Sequence, residues 1–295
     1  MDFETAITLC RDVAQPVLIA GPTASGKSGL ALAIAEATGR PVLNADALQV
    51  YARWHVLTAR PGGRDLARAR HVLYGHVQGH GDYSVGHWLT EVAPILALRP
   101  RPVIVGGTGL YFTALTQGLA RIPATPAELR READARMAEG GTAPLLGELD
   151  AQTRARIDRA NPARVQRAWE VLHATGRGLA YWQDRPAPPL LPPGAARRFV
   201  LQAPPAVLGP RIAQRFDAML DDGALGEVRA NAGDFDPGRP ADRAIGARQL
   251  LSHLRGETTL NEAREAAIIA TRQYAKRQRV WFRGRMKDWT PLEVA

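Results

Sequence analysis

The segment from residue 21 to residue 28 constrains the fold of this 295-residue chain more than any other. It matches the pattern G-x-x-x-x-G-K-[ST] and consists of Gly21, Pro22, Thr23, Ala24, Ser25, Gly26, Lys27 and Ser28. The apolar run 16–20 precedes it, and the helix-forming run 30–35 follows. In a strand–loop–helix of this kind the loop N–H groups and the helix N-terminus attract a phosphate, and the lysine adds a full charge. The segment therefore predicts a site for a diphosphate or triphosphate.

A serine directly after the loop lysine is typical of a magnesium site, since its hydroxyl ligates an ion that also bridges phosphate oxygens. Ser28 is this candidate ligand for Mg²⁺. An ordinary NTPase adds a carboxylate at the end of a neighbouring strand. The strand predicted over 101–105 ends instead in Gly106-Gly107-Thr108-Gly109, whereas the strand predicted over 41–45 ends at Asp46. A P-loop kinase or NTPase acting on a small molecule is weakened by this difference but stays open.

The pattern of apolar runs predicts the fold class and the domain organisation. Strand-like runs at 16–20, 41–45, 101–105 and 198–201 alternate with helical segments, which indicates a parallel sheet flanked by helices. Residues 123–184 have helical spacing, and a proline-rich stretch follows at 186–193. We expect an α/β core of P-loop type formed by 1–121 and 195–295, with an all-helical insertion at 122–194. The remainder after the fourth strand is predicted to be helical and to end in a basic helix over 261–285.

Charge and cysteine content narrow the classes of function. Lys and Arg number 38 against 29 acidic residues, for a formal charge of +9, and the only lysines are at 27, 276 and 287. The excess of arginine has two readings, genome composition or a polyanionic partner, and charge alone does not decide between them. A single cysteine excludes a disulfide framework and a multi-cysteine metal site, and the seven histidines have no metal-ligand spacing. His71 and His76 are better explained by local polar contacts.

The first residues and the hydropathy of the chain set an expectation for its location. No apolar run is long enough to span a bilayer, and residues 1–11 lack the basic-then-apolar layout of a signal peptide. We therefore expect a cytoplasmic protein with no membrane partner. A nucleotide-gated RNA-binding module without transfer chemistry would explain the arginines as well, although it leaves Asp46 and Thr108 without a role.

Beyond the phosphate loop, the order and spacing of short motifs resemble those of the tRNA dimethylallyltransferases. The likeness extends over nearly the whole chain, which makes it far more specific than the loop alone. The matching segments after residue 28 are Asp46 with Gln49-Val50-Tyr51, Thr58-Ala59-Arg60-Pro61, Gly106-Gly107-Thr108-Gly109-Leu110-Tyr111, Asn161-Pro162 with Arg164 and Arg167, Glu170-Val171, Thr175-Gly176, Arg243 with Ile245-Gly246 and Arg248-Gln249, and Tyr274-Ala275-Lys276-Arg277-Gln278 with Trp281-Phe282-Arg283.

The resemblance implies transfer of a dimethylallyl group from dimethylallyl diphosphate to N6 of the adenosine immediately 3′ of the anticodon, with magnesium assisting and diphosphate leaving. Asp46 falls on the general base of the family, and Thr108 falls on a residue that contacts the reacting centre. The helical insertion is expected to contact the anticodon stem-loop of tRNA, and the chain to act as a monomer. The positions that fall on tRNA contacts are Asp46, Ala47, Leu48, Gln49, Thr108, Arg130, Ala163, Arg164, Val165, Gln166, Arg167, Arg243, Ala244, Ile245, Gly246, Ala247 and Arg248.

Two positions depart from the family pattern, and the basic C-terminal segment has a regular spacing of cations. The family usually has Ser where this chain has Ala47, and an aromatic residue where it has Ala247. Neither change removes a group that performs the chemistry. In the basic C-terminal helix, Arg272 and Lys276, then Arg279 and Arg283, recur at a spacing of four, either as an RNA-binding face or as a solvated surface. For Tyr274, Trp281 and Phe282, core packing is favoured over base stacking in at least two of the three.

Overall fold

The computed structural model describes residues 1–79, 81 and 83–294. These residues form two compact units, the first made of 1–114 with 191–295 and the second of 115–190. The limits expected from the sequence were 1–121 with 195–295, and 122–194. The predicted mixture of a parallel α/β core and a helical insertion is confirmed.

The first unit is built on a sheet whose strands are all parallel. The described strands are β1 (Val17–Ala20), β2 (Val42–Asn44), β3 (His71–Val72), β4 (Val103–Gly106), β5 (Arg197–Gln202) and β6 (Thr290–Glu293). Their spatial order is β3-β2-β4-β1-β5-β6. The carboxyl ends of β2, β4 and β1 therefore lie side by side, and open α/β folds bind their ligands at these ends of the strands.

Two strands depart from the sequence-based prediction. No strand was predicted after residue 285, but β6 pairs in parallel with β5 and is an edge strand of the sheet. Pro291 lies within β6, and proline is tolerated there because an edge strand needs no N–H donor on its outer side. The short strand β3 was not predicted either, because two residues carry no readable alternation.

The helices follow the strands in the order expected of a wound α/β sheet. They are α1 (Phe3–Arg11), α2 (Lys27–Thr38), α3 (Gly63–Arg68), α4 (Val85–Ile95), α5 (Gly109–Gln117), α6 (Ala127–Gly140), α7 (Ala143–Glu148), α8 (Ala151–Arg156), α9 (Pro162–Thr175), α10 (Leu179–Gln183), α11 (Pro205–Asp221), α12 (Ala224–Ala230), α13 (Ala247–Leu254) and α14 (Leu260–Arg285). Short 3₁₀ turns lie at Ala232–Asp234 and Pro240–Asp242. Among the described helices, none is both long and apolar enough to cross a membrane.

The core of the first unit lies on both faces of the sheet. All four residues of β1 and all four of β4 are buried, as expected for central parallel strands covered by helices. Leu30 and Ile34 of α2 pack in this core together with Phe199 of β5 and Ile268 of α14. The phosphate loop and the strand-end residues are thus attached to fully buried central strands.

The second unit has its own small core of helical residues. It contains Ala133 of α6, Leu145 of α7, Leu149, and Val165, Ala168 and Trp169 of α9. The start of α9 follows the usual capping chemistry: the Asn161 side chain accepts a hydrogen bond from the Arg164 N–H at 3.2 Å, and Pro162 occupies the first turn. The helix ends at Gly176, whose φ of 67° is the left-handed conformation that glycine adopts at low cost.

The close approach of β2 and β4 at their carboxyl ends gives a test of the fold. A Cβ atom at Gly106 would lie 2.0 Å from the carbonyl oxygen of Ala45, which belongs to the backbone and has no room to move. Gly106→Ala is therefore expected to lower the free energy of unfolding by about 1–3 kcal/mol or more, measured by urea denaturation. Gly226→Ala is the matched control, because nothing lies within 4 Å of its added methyl group on α12. An unchanged stability of Gly106→Ala would contradict the described register.

Candidate active site

The phosphate loop connects β1 to α2 with the backbone shape that its glycines and small residues allow. Gly26 caps α2 with a φ of 87°, and Ala24 also has a positive φ of 61°. The ammonium group of Lys27 donates a hydrogen bond to the Pro22 carbonyl at 3.3 Å, which holds it across the loop. The Ser25 hydroxyl is fully buried and has no hydrogen-bond partner among the described residues.

A cleft of about 870 Å³, partly open to solvent, lies at the carboxyl edge of the sheet. Its lining combines the phosphate loop, the ends of β2 and β4, the loop after β2 and one face each of α11 and α14. The lining residues are Thr23, Lys27, Ser28, Asp46, Leu48, Gln49, Leu57, Thr58, Tyr74, Val105, Gly106, Ile212, Arg215, Phe216, Met219, Ile245, Thr271 and Tyr274. The polar groups of the phosphate loop and an apolar wall therefore face the same space.

Two cations share the polar part of this cleft. Burial, and after it the positive charge of Arg215, lowers the pKa of Lys27 to about 8, against a smaller opposing effect of Asp46. Burial also lowers the pKa of the Arg215 guanidinium, whose nearest polar partner is the Thr23 hydroxyl at 3.4 Å. Neither cation forms an ion pair with a carboxylate within the part of the chain that is described. Two unpaired cations in one cleft are costly unless an anion binds between them.

Gln278 of α14 joins the phosphate loop to the strand-end loop of β4. Its side-chain oxygen accepts a hydrogen bond from the Thr23 N–H at 2.9 Å, and its amide nitrogen donates to the Gly107 carbonyl at 3.0 Å. The side chain is almost fully buried. One amide thus sets the spacing between the loop that would hold a phosphate and the loop that carries Thr108.

Asp46 and Thr108 lie at the adjacent ends of β2 and β4, and hydrogen bonds hold them there. The Asn44 side chain accepts from the Asp46 N–H at 2.8 Å and donates to the Leu73 carbonyl at 3.0 Å. One carboxylate oxygen of Asp46, Oδ1, accepts from the Leu48 N–H at 3.0 Å. The Thr108 hydroxyl accepts from the Ala47 N–H at 2.9 Å, which links the two strand ends. The other carboxylate oxygen of Asp46, Oδ2, lies on the Gly107 side, 3.4 Å from where a Cβ of that glycine would be.

Three tyrosines surround Asp46 and stay protonated. Burial, and after it the negative charge of Asp46, raises the pKa of Tyr74, Tyr111 and Tyr274 well above the usual value of a phenol. Tyr111 also stacks on the buried ring of Trp88 at a centroid distance of 4.5 Å. The surroundings of the Asp46 carboxylate are therefore aromatic and neutral apart from the two cations.

The loop after β2 is held by residues that are distant in sequence. The Gln49 amide donates to the Thr58 and Ala59 carbonyls at 2.8 and 3.0 Å. The carboxylate of Glu227 on α12 accepts hydrogen bonds from three consecutive N–H groups, those of residues 55–57, at 2.5–3.0 Å. In the same loop Arg53 pairs with Asp234 and with the buried Asp242. These contacts place Leu57 and Thr58 in the wall of the cleft.

The structure brings the predicted donor-site and strand-end residues together. The predicted residues that line the cleft itself are Thr23, Lys27, Ser28, Asp46, Leu48, Gln49 and Ile245. The loop behind it is formed by Gly21, Pro22, Ala24, Ser25 and Gly26. Ala47, one of the two departures from the family pattern, takes part through its backbone N–H, which any residue type supplies.

The other predicted tRNA-contacting residues are divided between surface and core. In the first unit Arg243 and Arg248 are exposed, but Ala244, Gly246 and Ala247 are buried. The side chain of Ala247 is completely buried in the hydrophobic core, so it faces the interior at this position. In the second unit Arg130, Ala163 and Arg164 are exposed, Gln166 and Arg167 are partly buried, and Val165 is in the core. Contacts with RNA in these segments are left to the exposed members.

The basic helix α14 has exposed cations on its surface and aromatic side chains that pack against the protein. Arg272, Lys276 and Arg283 are exposed, and Arg279 is partly buried. Phe282 packs in the core, Tyr274 lines the cleft, and the Trp281 ring lies against Gly109. Arg279 and Arg283 also line a second, basic groove of about 1160 Å³ beside the ends of β5 and β6, together with Lys287.

The histidines are engaged in local polar contacts. His71 contacts the Ala69 carbonyl at 2.9 Å, and His76 contacts the Glu91 carboxylate at 2.9 Å. In the described ranges there is no group of three or more His, Cys, Asp or Glu residues able to hold a metal ion.

Sequence reasoning missed three contributors to the site. Arg215 could have been noticed as a cation within an apolar stripe, since Ile212, Arg215, Phe216 and Met219 follow the helical spacing of one face. The clamping role of Gln278 and the anchoring role of Glu227 have no local signal. The hydrogen-bond partners of Gln278 lie 171 and 255 residues away along the chain, and the Leu57 N–H that bonds to Glu227 lies 170 residues away.

The low pKa of Lys27 predicts a dependence of stability on pH. Below pH 8 Lys27 is protonated in both states, so folding buries a charge at a cost of about 1–3 kcal/mol. Between about pH 8 and 10.5 the native protein has released this proton while the unfolded chain retains it, so stability relative to an uncharged variant rises with pH. Lys27→Met is therefore expected to be more stable than the wild type at pH 7, with the difference shrinking towards pH 10. Thermal melts across this range measure it.

Lys276→Met is the matched control, because Lys276 is exposed on α14 and loses no buried charge. A stability difference for Lys27→Met that does not change with pH would show that the ammonium group is not desolvated in the free protein.

The three hydrogen bonds to Glu227 predict a second, separable effect. Glu227→Gln replaces one acceptor oxygen by an NH₂ group that faces backbone donors, and should cost about 1–3 kcal/mol of stability. The wall residues Leu57 and Thr58 should then become mobile, which hydrogen exchange of residues 55–58 would detect. Glu257→Gln is a control, since Glu257 is exposed and accepts a hydrogen bond from the Ser252 hydroxyl and not from the loop 55–57. Unchanged protection of 55–58 would contradict the anchoring role.

Comparison with known proteins agrees with the motifs and the fold. A model of the IPP transferase family matches residues 49–285, and one of the isopentenyl transferase family matches 15–76. The tRNA dimethylallyltransferase of Dinoroseobacter shibae is 63% identical over 281 residues, 94% of this chain and 94% of that protein. The one from Cereibacter sphaeroides is 62% identical over 280 residues, 95% of this chain and 89% of that protein.

Solved structures give the same result. The tRNA isopentenylpyrophosphate transferase of Bacillus halodurans superposes with a TM-score of 0.66 at 28% identity, covering 96% of this chain and 90% of that one. A eukaryotic dimethylallyltransferase acting on tRNA shares the fold, with a TM-score of 0.79 at 24% identity over 96% of this chain and 74% of that one. Because the family model matches residues 49–285 and a curated relative is 63% identical over 94% of the chain, this chain belongs to the family of tRNA dimethylallyltransferases.

Proposed function

We propose that this protein moves a dimethylallyl group from dimethylallyl diphosphate to N6 of the adenosine 3′ of the anticodon in tRNA, and releases diphosphate. The observation that carries the proposal is the cleft in which Lys27 and Arg215, unpaired with carboxylates in the described chain, face the same space as Asp46 and an apolar wall. A diphosphate ester of a short hydrocarbon matches such a combination, because it needs cations at one end and apolar contacts at the other.

The chemistry follows from the placement of these groups. The bond between C1 of the donor and the bridging oxygen of its diphosphate breaks while the bond between the adenine N6 and C1 forms. Negative charge builds up on the departing diphosphate, where the loop N–H groups, Lys27 and Arg215 stabilise it. One N6 proton passes to the Asp46 carboxylate, since the exocyclic amine is a poor nucleophile until its proton has an acceptor. Thr108, bonded to the Ala47 N–H, keeps the Asp46 loop in position.

The residues present fit a magnesium ion bound through the donor. Ser28 lines the cleft at the first turn of α2, next to Lys27, and its hydroxyl is the protein ligand that we assign. No cluster of carboxylates stands nearby in the described residues, so diphosphate oxygens and water would complete the coordination. Bound there, the ion would neutralise charge on the leaving group.

The acceptor base has to leave the anticodon loop stack before it can reach Asp46. Exposed arginines supply the backbone contacts that such a substrate needs, with Arg243 and Arg248 in the first unit and Arg130 and Arg164 in the second. The exposed cations of α14 add a further phosphate-binding surface. Because the substrate is tRNA, we propose that the reaction takes place in the cytoplasm. We also propose that the protein acts as a monomer, because one chain contains all the residues of the cleft.

The rival assignment is a small-molecule kinase or NTPase. Among the described lining residues, Asp46 is the only carboxylate, and β4 ends in Gly106 without the acidic residue that organises magnesium and water in such enzymes. The apolar wall of Leu57, Phe216 and Met219 has no side-chain hydrogen-bonding group to recognise the base or ribose of a nucleoside phosphate. An RNA-binding module without transfer chemistry would leave the unpaired cations of the cleft without a ligand.

Replacing Asp46 tests the proposed reaction. Asp46→Asn keeps the shape and the hydrogen bond from Leu48 but loses the basicity, so single-turnover transfer with saturating tRNA and dimethylallyl diphosphate should fall by roughly 10²–10⁴-fold. Calorimetry should show donor affinity within a few-fold of wild type, because the carboxylate faces the acceptor. Asp222→Asn is the control, because Asp222 is an exposed aspartate at the end of α11 that does not line this cleft.

The outcomes separate the three assignments. A variant that transfers at nearly the wild-type rate would place the base elsewhere. If Asp46 were instead a metal ligand of a kinase, magnesium-dependent nucleotide affinity would drop. A wild-type protein that binds tRNA but transfers no dimethylallyl group would refute the proposed function.

A further inference from the structure

The apolar wall of the cleft lies to one side of Arg215 along helix α11. Ile212, Arg215, Phe216 and Met219 occupy consecutive positions of one helical face, and all four line the cleft. Met219 is one turn beyond Arg215, about 6 Å along the helix axis, and Ile212 is nearly one turn before it. A donor held by its diphosphate at Arg215 therefore has two directions in which its hydrocarbon can extend.

The orientation of α14 shows which direction is polar. A Cβ at Gly209 would lie 4.0 Å from Arg272 Nε, and Arg264 forms a bidentate pair with Asp217 at 2.5 and 2.8 Å. Gly209 near the start of α11 is thus beside the middle of α14, and Asp217 near the end of α11 is beside the beginning of α14, so the two helices run antiparallel. Thr271 and Tyr274, the cleft-lining residues of α14, are therefore beside the first turns of α11, on the Ile212 side of Arg215.

The opposite direction is apolar. A Cβ at Gly246 would lie 2.9 Å from the Phe216 ring and 3.0 Å from Leu57, so these two side chains meet at that glycine. Gly246 has a φ of 102°, which excludes most larger residues and preserves this packing. Leu57 and Phe216 belong to the hydrophobic core and are almost fully buried. Met219 and the neighbouring Ile245 are only partly buried and complete the wall.

We propose that Met219 sets the maximum length of the hydrocarbon chain that the donor can carry, by closing the apolar end of the cleft one helical turn beyond Arg215. The inference rests on the proposed function and deepens it, since it names the residue that selects a five-carbon donor over a ten-carbon one. Leu57 and Phe216 are almost fully buried in the core, whereas Met219 is only partly buried and packs against the edge of the core, so shortening its side chain should disturb the core less.

The expected size of the effect follows from hydrophobic pockets in general. A single methylene discriminates by about 10–200-fold in such a pocket, so five additional carbons that meet a closed wall should be strongly rejected. Removing most of the Met219 side chain opens space continuous with the cleft. A thioether side chain is flexible, so the substitution should disturb its neighbours little.

The experiment compares dimethylallyl diphosphate with geranyl diphosphate as donors, using wild type, Met219→Ala and Met219→Leu. We expect the kcat/KM ratio of geranyl to dimethylallyl to rise at least about 10-fold in Met219→Ala. It should stay within about 3-fold of wild type in Met219→Leu, which conserves volume. Met137→Ala in the helical unit is the matched control, and its ratio should not change. Thermal melts confirm that each variant is folded.

Ile212→Ala tests the direction of the chain. An increase in the geranyl ratio for Ile212→Ala and none for Met219→Ala would overturn the proposal, as would an unchanged ratio in Met219→Ala. Equilibrium binding of the two diphosphates, measured by calorimetry without tRNA, separates this inference from the proposed function. A wild type that transfers no dimethylallyl group refutes the function, whereas the relative affinity for geranyl diphosphate in Met219→Ala still supports or overturns the role of Met219.

Discussion

The meeting of three strand ends is the constraint on which the rest of the site depends. In the order β2-β4-β1, the phosphate loop, Asp46 and Thr108 are attached to neighbouring strands and leave the sheet at the same edge. The approach is so close that Gly106 leaves no room for a methyl group beside the Ala45 backbone. Because these strands are buried on both faces, the functional loops start from rigid positions.

The two buried cations of this cleft favour the binding of an anionic ligand, and they lower the stability of the free protein. Lys27 and Arg215 are desolvated without a carboxylate partner in the described chain, and Asp46 is the only acidic lining residue described. A bound diphosphate would compensate both cations at once. The low pKa of Lys27, caused by burial and by the neighbouring Arg215, is what we expect of a loop whose compensating anion is a ligand.

The walls of the cleft come from helices that are remote in sequence from the strands. Gln278 on α14 spaces two loops, Glu227 on α12 holds three N–H groups of the loop after β2, and α11 provides a cation within an apolar stripe. The antiparallel pairing of α11 and α14 then gives the cleft a polar and an apolar direction from Arg215. In the reaction that we propose, donor selectivity follows from this helix pairing, and catalysis follows from the groups at the strand ends.

The sequence by itself determined the phosphate loop, the parallel core, the helical middle and the family, because these depend on local patterns and on the order of short motifs. Gly26 and Lys27 are readable from neighbours a few residues away, and Asp46 from its place after an apolar run. Arg215, Gln278 and Glu227 were decided only by the tertiary structure, since their partners are far along the chain. The edge strand β6 belongs to the same group, as a four-residue segment containing Pro291 becomes a strand only when β5 is beside it. Local periodicity encodes which face of an element is buried, whereas the identity of the group opposite that face is set by the packing of the whole unit.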